Sequence, residues 1–321
     1  MMLTPRPVRG RTRTLVLGLV LALALAAGVT TAQAQAAWPG QVLRGITIES
    51  STDKPTAEVI QAVAALSSDP TVRLVLDKDD TPEDWRALVN GLDPHAQIMM
   101  QVLDSSQMRL LSADQVRQRT QAFVAAFGHQ VEVWEIGNEL NGGWVGSSPA
   151  EINAKVEAAA QVVEAAGGRT AITLNYWSSH SCYGPDWAET RSYARTIPDQ
   201  VMANLDLLLL SVYETACSPA QHPTADELAA TLVDIGTEAP GASLGIGEIG
   251  AQGQDDGVPE PDLAEKRRVA QRYMSMQPTL SARLGKRFVG GWFWWYFVRD
   301  AVPYGAPGSL WPDLNRLLAG L

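Results

Sequence analysis

Short apolar runs recur along this chain from Gln41 onward, separated by longer stretches whose apolar residues fall at helical spacing. The runs are "QVLRGITIES", "TVRLVLDKD", "AQIMMQVLD", "VEVWEIGNE", "TAITLNYW", "LDLLLLSVY", "SLGIGEIGA" and "FVGGWFWWYF". Each is too short and too apolar for a surface helix and predicts a strand covered on both faces. The intervening stretches carry helix punctuation. "SADQVRQRTQAFVAAF" begins with a Ser suited to an N-cap, and "SPAEINAKVEAAAQVVEAAGG" opens on Ser-Pro and stops at Gly167. "TADELAATLVDIG", "PDLAEKRRVAQRYMSM" and "SLWPDLNRLLAGL" follow the same pattern. Strands alternating with helices predict a parallel sheet. Eight such units in about 285 residues predict one α/β domain, a (β/α)8 TIM barrel. A doubly wound sheet is the runner-up, but it asks for a glycine-rich phosphate turn after the first strand, and "GITIESSTDKP" supplies none.

The first 36 residues stand outside this pattern. Arg6, Arg9, Arg11 and Arg13 precede an apolar run from Leu15 to Val29, followed by small residues at Ala32, Ala34 and Ala36. This reads as a secretory signal peptide over residues 1–36, with the barrel domain over 37–321. The apolar run is short for a membrane span, which needs about 20 residues. A secreted or periplasmic protein is expected, with no membrane association after cleavage. The chain has 25 Lys and Arg against 35 Asp and Glu, a net charge of −10. Loss of the leader removes four arginines and no acids, so the mature chain is more acidic still. Such a surface repels phosphate backbones and argues against nucleic acid or anionic membranes as partners. A monomer is expected. Two cysteines, Cys182 and Cys217, permit one disulfide in an exported protein. The runs carrying them follow the fifth and sixth strands. Adjacent barrel strands lie about 4.8 Å apart, so their loops can be bridged. Four histidines and no Cys/His spacing make a metal site unexpected, and no cofactor is expected. Asp255 and Asp256, in "AQGQDDGVPEPD", suit a solvated lid loop better than a calcium site.

Barrel enzymes work at the C-terminal ends of their strands. The fourth strand ends in Asn138-Glu139, the sixth in Tyr213-Glu214, the seventh in Glu248, and the eighth in a cluster from Trp292 to Tyr296. Carboxylates on strands four and seven can face each other across the mouth. Such a pair hydrolyses glycosidic bonds: one carboxyl protonates the leaving oxygen, and the other attacks the sugar carbon or activates water. A Trp-rich rim suits the apolar faces of sugar rings. Glu135 lies deeper in strand four and is expected to be a buried structural carboxylate paired with a donor. Glu214, next to Tyr213, is expected to point away from the axis. Adjacent Trp294 and Trp295 must face opposite ways. Trp144, Trp177 and Trp187, in loops after strands four and five, suit a sugar subsite or packing under a loop.

These motifs resemble the clan A retaining (β/α)8 glycoside hydrolases, which include the cellulase and mannanase family and the β-1,4-galactanases. The resemblance spans the mature chain in architecture and a few motifs in sequence. "WEIGNEL" is similar to the clan's strand-four signature and implies Glu139 as general acid/base and Asn138 as a hydrogen bonder to the substrate 2-hydroxyl. "GIGEIG" implies Glu248 as nucleophile. "VRLVLD" and "SVYE" imply Arg73 and Tyr213 as supports of that nucleophile, and "GWFWWYF" implies Trp295 as the floor of the cleavage subsite. Trp144 and Trp177 are further candidate sugar contacts. The chain departs from the cellulase-like pattern at Ser211 and near Asp104, where histidines are common, and at Gly137, where Trp is common. The resemblance implies a secreted retaining glycosidase, endo-acting on a polysaccharide or oligosaccharide by a two-glutamate double displacement. The alternative is a catalytically silent carbohydrate-binding or scaffold barrel.

Overall fold

A computed structural model describes residues 41–49, 54–252 and 260–321. The expected leader, and Asp255 and Asp256, lie outside the described residues. Eight strands are present among those described: β1 (Leu43–Glu49), β2 (Thr71–Val75), β3 (Gln97–Gln101), β4 (Val131–Gly137), β5 (Thr170–Asn175), β6 (Leu207–Val212), β7 (Ser243–Ile249) and β8 (Phe288–Trp294). All pair in parallel, each with its sequence neighbour, and β8 closes on β1, so the sheet is a closed barrel. The helices expected from punctuation form at Ala113–Phe127, Pro149–Ala165, Ala225–Ile235, Leu263–Met274 and Trp311–Ala319. Ser112 and Thr224 each complete a capping box, with Gln115 and Glu227.

The alternation of side chains divides the apolar residues into two layers. Leu207 and Leu209 point into the barrel with Leu43, Met99, Val133, Ala171, Val289 and Phe293, and together they plug its floor. Leu208 and Leu210 point outward and join the larger core between strands and helices. Above the apolar floor the inward positions become polar: Thr47, Arg73, Gln101, Glu135, Thr173 and Ser211 are all buried. Thus the barrel is dry below and charged at its mouth. No helix among the described residues is long and apolar enough to cross a membrane.

Cys182 and Cys217 are joined by a disulfide, which ties the loop after β5 to the loop after β6. The unreduced, denatured protein should therefore give no thiol in a titration; two reactive thiols would contradict the pairing. Reduction should lower stability by about 2–4 kcal/mol, through release of the closed loop in the unfolded chain, and thermal melts with and without reductant measure it.

Candidate active site

Glu139 lies two residues beyond the end of β4. Its backbone takes φ +50, a left-handed conformation that costs a non-glycine residue energy and here turns the chain sharply off the strand. Three bonds hold that turn: Gly142 N–H donates to the Glu139 carbonyl at 2.7 Å, Asn175 Nδ2 donates to it at 3.3 Å, and Leu140 N–H donates to the Thr173 carbonyl. The departure at Gly137 has a steric reason. A Cβ there would lie 2.6 Å from the side chain of Leu140, which folds back under the turn.

Glu248 reaches the axis by another route. The β6–β7 register slips between Leu210 and Ser211, so Ser211 pairs with Glu248 rather than Gly247. Such irregularities re-aim side chains. Gly247 sits where a Cβ would lie 2.8 Å from Thr173 Oγ1, an inward side chain of β5, two strands away, that leaves no room for one.

Arg73 lies beneath both carboxylates, fully buried. Its Nε donates to Glu135 Oε2 at 2.6 Å, and its Nη1 donates to Glu248 Oε1 at 2.5 Å. Burial opposes the charge on Arg73, but the two glutamates outweigh it and hold its proton more tightly than usual. Glu135 is the buried structural carboxylate expected from sequence; it also accepts from Thr173 Oγ1. Burial pushes Glu135 above the ordinary carboxylate range despite Arg73. The Tyr213 hydroxyl donates to Glu248 Oε2 at 3.0 Å. Burial, then the charge of Glu248, raises the Tyr213 phenol well above its usual value.

Glu139 is half-buried in the wall of the cleft and has no cation of its own among its hydrogen-bond partners in the described structure. Burial, then the charge of Glu248, pushes it up to about 8. Ser105 Oγ lies 3.0 Å from Glu139 Oε2 and accepts from Trp144 Nε1 at 3.3 Å. Ser211 Oγ lies 2.9 Å from Glu139 Oε1 and 3.3 Å from Glu248 Oε2. Neither serine was named as a contact by sequence. Ser211 shares a strand face with Tyr213 by the period of two, so its position was readable. Ser105 sits in a 3-10 turn, Ser105–Leu110, which has no such period; Asp104, the other departure, caps that turn by accepting from Ser106 N–H.

These groups open into a cleft of about 640 Å³, lined also by Trp144, Trp177 and Trp295, with the disulfide at its edge. Trp295 faces the cleft, and its ring lies 5.6 Å from the Arg73 guanidinium. Trp292 and Trp294 face the other way, donating to Gln277 and Asp300 outside the barrel. Trp144 and Trp177 meet edge to face at 6.4 Å. Trp187 instead packs on Tyr193 and the core. Asn138 is buried, and its Oδ1 has no protein partner among the described residues. Glu214 turns away from the cleft to Arg268 and His222, whose bonds outweigh burial and lower its pKa.

Two stability measurements follow. Arg73→Met leaves two buried carboxylates without their partner, and equilibrium unfolding should show a loss of about 3–5 kcal/mol. For Glu139 the folded value lies above the ordinary 4.5, so the folded state keeps a proton that the unfolded chain releases. Stability therefore falls as pH rises between those two values. The Tm of Glu139→Gln relative to wild type should be nearly level below about pH 5, climb as pH rises, and flatten above about pH 8. A difference that is constant with pH would assign the raised carboxyl elsewhere.

No protein-family model matches the sequence, and no curated protein does. Among solved structures, the chain is similar to a family 1 β-glucosidase from Thermotoga maritima, with 10% identity over 81% of this chain and 88% of that one, at a TM-score of 0.55. It is similar to a β-mannanase from Thermomonospora fusca, at 18% identity, 85% and 82% coverage and a TM-score of 0.53. It is also similar to the catalytic domain of a mannanase from Streptomyces sp. SirexAA-E, at 20% identity, 87% and 86% coverage and a TM-score of 0.51. The chain thus has the (β/α)8 barrel fold of these glycosidases, the fold that its strand-end motifs implied.

Proposed function

We propose that this chain is an exported retaining β-glycosidase that cleaves a polysaccharide internally. The observation that carries the reading is the shared hydroxyl of Ser211, which lies within hydrogen-bond distance of both Glu139 and Glu248. Two hydrogen-bond lengths bound the gap between those carboxylate oxygens. So close an approach favours the about 5–5.5 Å spacing of retaining pairs over the about 6.5–9.5 Å that inverting pairs keep to admit a water.

In this reading Glu248, held by Arg73 and Tyr213, is the nucleophile. Its carboxylate oxygen bonds to the anomeric carbon as the glycosidic bond breaks, and the bond's electron pair stays on the leaving oxygen. Glu139, protonated near neutral pH, gives that oxygen its proton. The resulting carboxylate then takes a proton from water, which attacks the glycosyl ester and frees Glu248. Asn138, whose buried Oδ1 is unengaged by protein among the described residues, holds the sugar 2-hydroxyl. Trp295 floors the cleavage subsite, and Trp144 and Trp177 carry further sugar units. Every charged side chain lining the cleft among the described residues is acidic, namely Asp104, Glu139 and Glu248. This favours a neutral polymer over a uronate or sulfated one. The open cleft favours endo action, and the disulfide supports export.

A screen of polysaccharides for reducing-end release tests the activity; binding without release would favour the silent barrel. With an active substrate, wild type should give net retention of anomeric configuration by proton NMR. Glu139→Ala should keep activity on glycosides with activated leaving groups, and azide should speed it and yield the β-glycosyl azide. Glu248→Ala should lose the covalent intermediate, and azide should give the α-azide. An inverted product from wild type would refute the two roles together.

A further inference from the structure

Ser211 has one proton and stands between two carboxylates, so the question is which of them receives it. The surrounding donors decide. Trp144 Nε1 is a donor only, and it points at Ser105 Oγ. Ser105 therefore accepts from the indole and directs its own proton to Glu139 Oε2. With Oε2 engaged as an acceptor, a proton on Glu139 sits on Oε1, the oxygen 2.9 Å from Ser211 Oγ. Ser211 then accepts that proton, and its own is left for Glu248 Oε2 at 3.3 Å. The hydroxyls and the indole form one directed chain, Trp144 to Ser105 to Glu139 to Ser211 to Glu248.

We propose, resting on the glycosidase reading, that Ser211 is a positioning residue whose hydroxyl proton changes partner during the reaction. In the free enzyme it is donated to Glu248 while Ser211 holds the Glu139 proton. When substrate arrives, the glycosidic oxygen displaces Ser211 as acceptor of the Glu139 proton. Glu248 then becomes a neutral ester and Glu139 a carboxylate. The Ser211 proton turns about the Cβ–Oγ bond to Glu139 Oε1, and it turns back when water frees Glu248. No heavy atom moves, and one donor follows the negative charge from one glutamate to the other.

The proposal separates from a simpler role by sign. The groups facing this pair are Arg73 from β2, Glu135 from β4, Tyr213 beyond β6 and Tyr296 beyond β8. None of them spans both carboxylates. Ser211 as a relay makes two good bonds when the pair holds one proton. It makes one good bond when the pair holds none, and weaker ones when it holds two. Removing it must lower the upper midpoint of the pair and raise the lower one. A serine that merely donated to the Glu139 carboxylate would do the reverse at the upper midpoint, because its loss would strip the charged form of a donor.

The test is carbon-13 NMR of protein labelled at the glutamate carboxyl, titrated as wild type, Ser211→Ala and Ser211→Thr. The Glu139 signal is identified by its loss in Glu139→Gln. Ser211→Ala should move the Glu139 midpoint down by about one pH unit, as expected for loss of the one bond from the protonated carboxyl to the hydroxyl, and Ser211→Thr, which keeps the hydroxyl, should restore it. The kcat/KM profile of Ser211→Ala should narrow from both sides; a structural role alone would lower the rate without moving either limb. A midpoint that rises or stays in place overturns the relay. A wild type that cleaves no glycan overturns the glycosidase reading and with it the turn of the hydroxyl. The NMR titration decides the direction of the chain in either case.

Discussion

One buried guanidinium, Arg73, sets the terms for everything at the mouth of this barrel. Three carboxyl groups, those of Glu135, Glu139 and Glu248, converge above the apolar floor, the first and last buried and Glu139 half-buried. A buried charge without a partner costs several kcal/mol, so the groups must share what cation there is. Arg73 gives Nε to Glu135 and Nη1 to Glu248. Glu139 has serine hydroxyls beside it instead, and near neutrality the cheaper state for it is the protonated one. The different surroundings of the two strand-end glutamates are therefore set one layer deeper, by which oxygens the arginine can reach. Glu135 matters for the same reason: with Thr173 behind it, it anchors the arginine that anchors Glu248.

The parts of this arrangement that depend on pattern were legible in the sequence. Eight apolar runs give eight staves, since a strand buried on both faces reads as an unbroken apolar run. The period of two separates Trp295 from Trp294 and puts Glu135 inside the barrel. The loop order brings Cys182 to Cys217. The parts that depend on local irregularity were not legible. Glu139 reaches the axis because its own φ is positive, and Glu248 because the β6–β7 register slips by a residue. No periodicity announces either event. Ser105 is the extreme case, a hydroxyl in a 3-10 turn whose importance rests on two distances. The departures from the cellulase-like pattern have physical substitutes in place. Gly137 gives space to Leu140, and Asp104 caps the turn that delivers Ser105.

Geometry this exact needs a rim that does not drift. Here the loops are tied to one another as well as to the barrel. Arg109 Nη2 donates to the carbonyls of Gly143 and Gly146, fixing the glycine-flanked turn that carries Trp144. Asn141 Nδ2 donates to the carbonyls of Asn175 and Ala188, and its Oδ1 accepts from Asn175 N–H. The disulfide adds a covalent tie to the next loop. The result is continuity from the outer Trp144 through Ser105 to the Glu139 carboxyl.

The two serines also change how the site answers to pH. An imidazole beside these carboxylates would titrate in the same range as Glu139 and would alternate between neutral and cationic. The four histidines of the chain lie elsewhere: none lines the cleft, and His222 pairs with Glu214 on the far side of the strand end. A hydroxyl donates at every working pH and carries no charge. Near neutrality the charge state of the cleft therefore rests on the glutamates and Asp104, with the phenols of Tyr213 and Tyr296 both raised out of range. Replacing histidine by serine exchanges a charged donor for one that can reverse direction. That suits the double displacement proposed for this pair, in which negative charge crosses from one glutamate to the other and back.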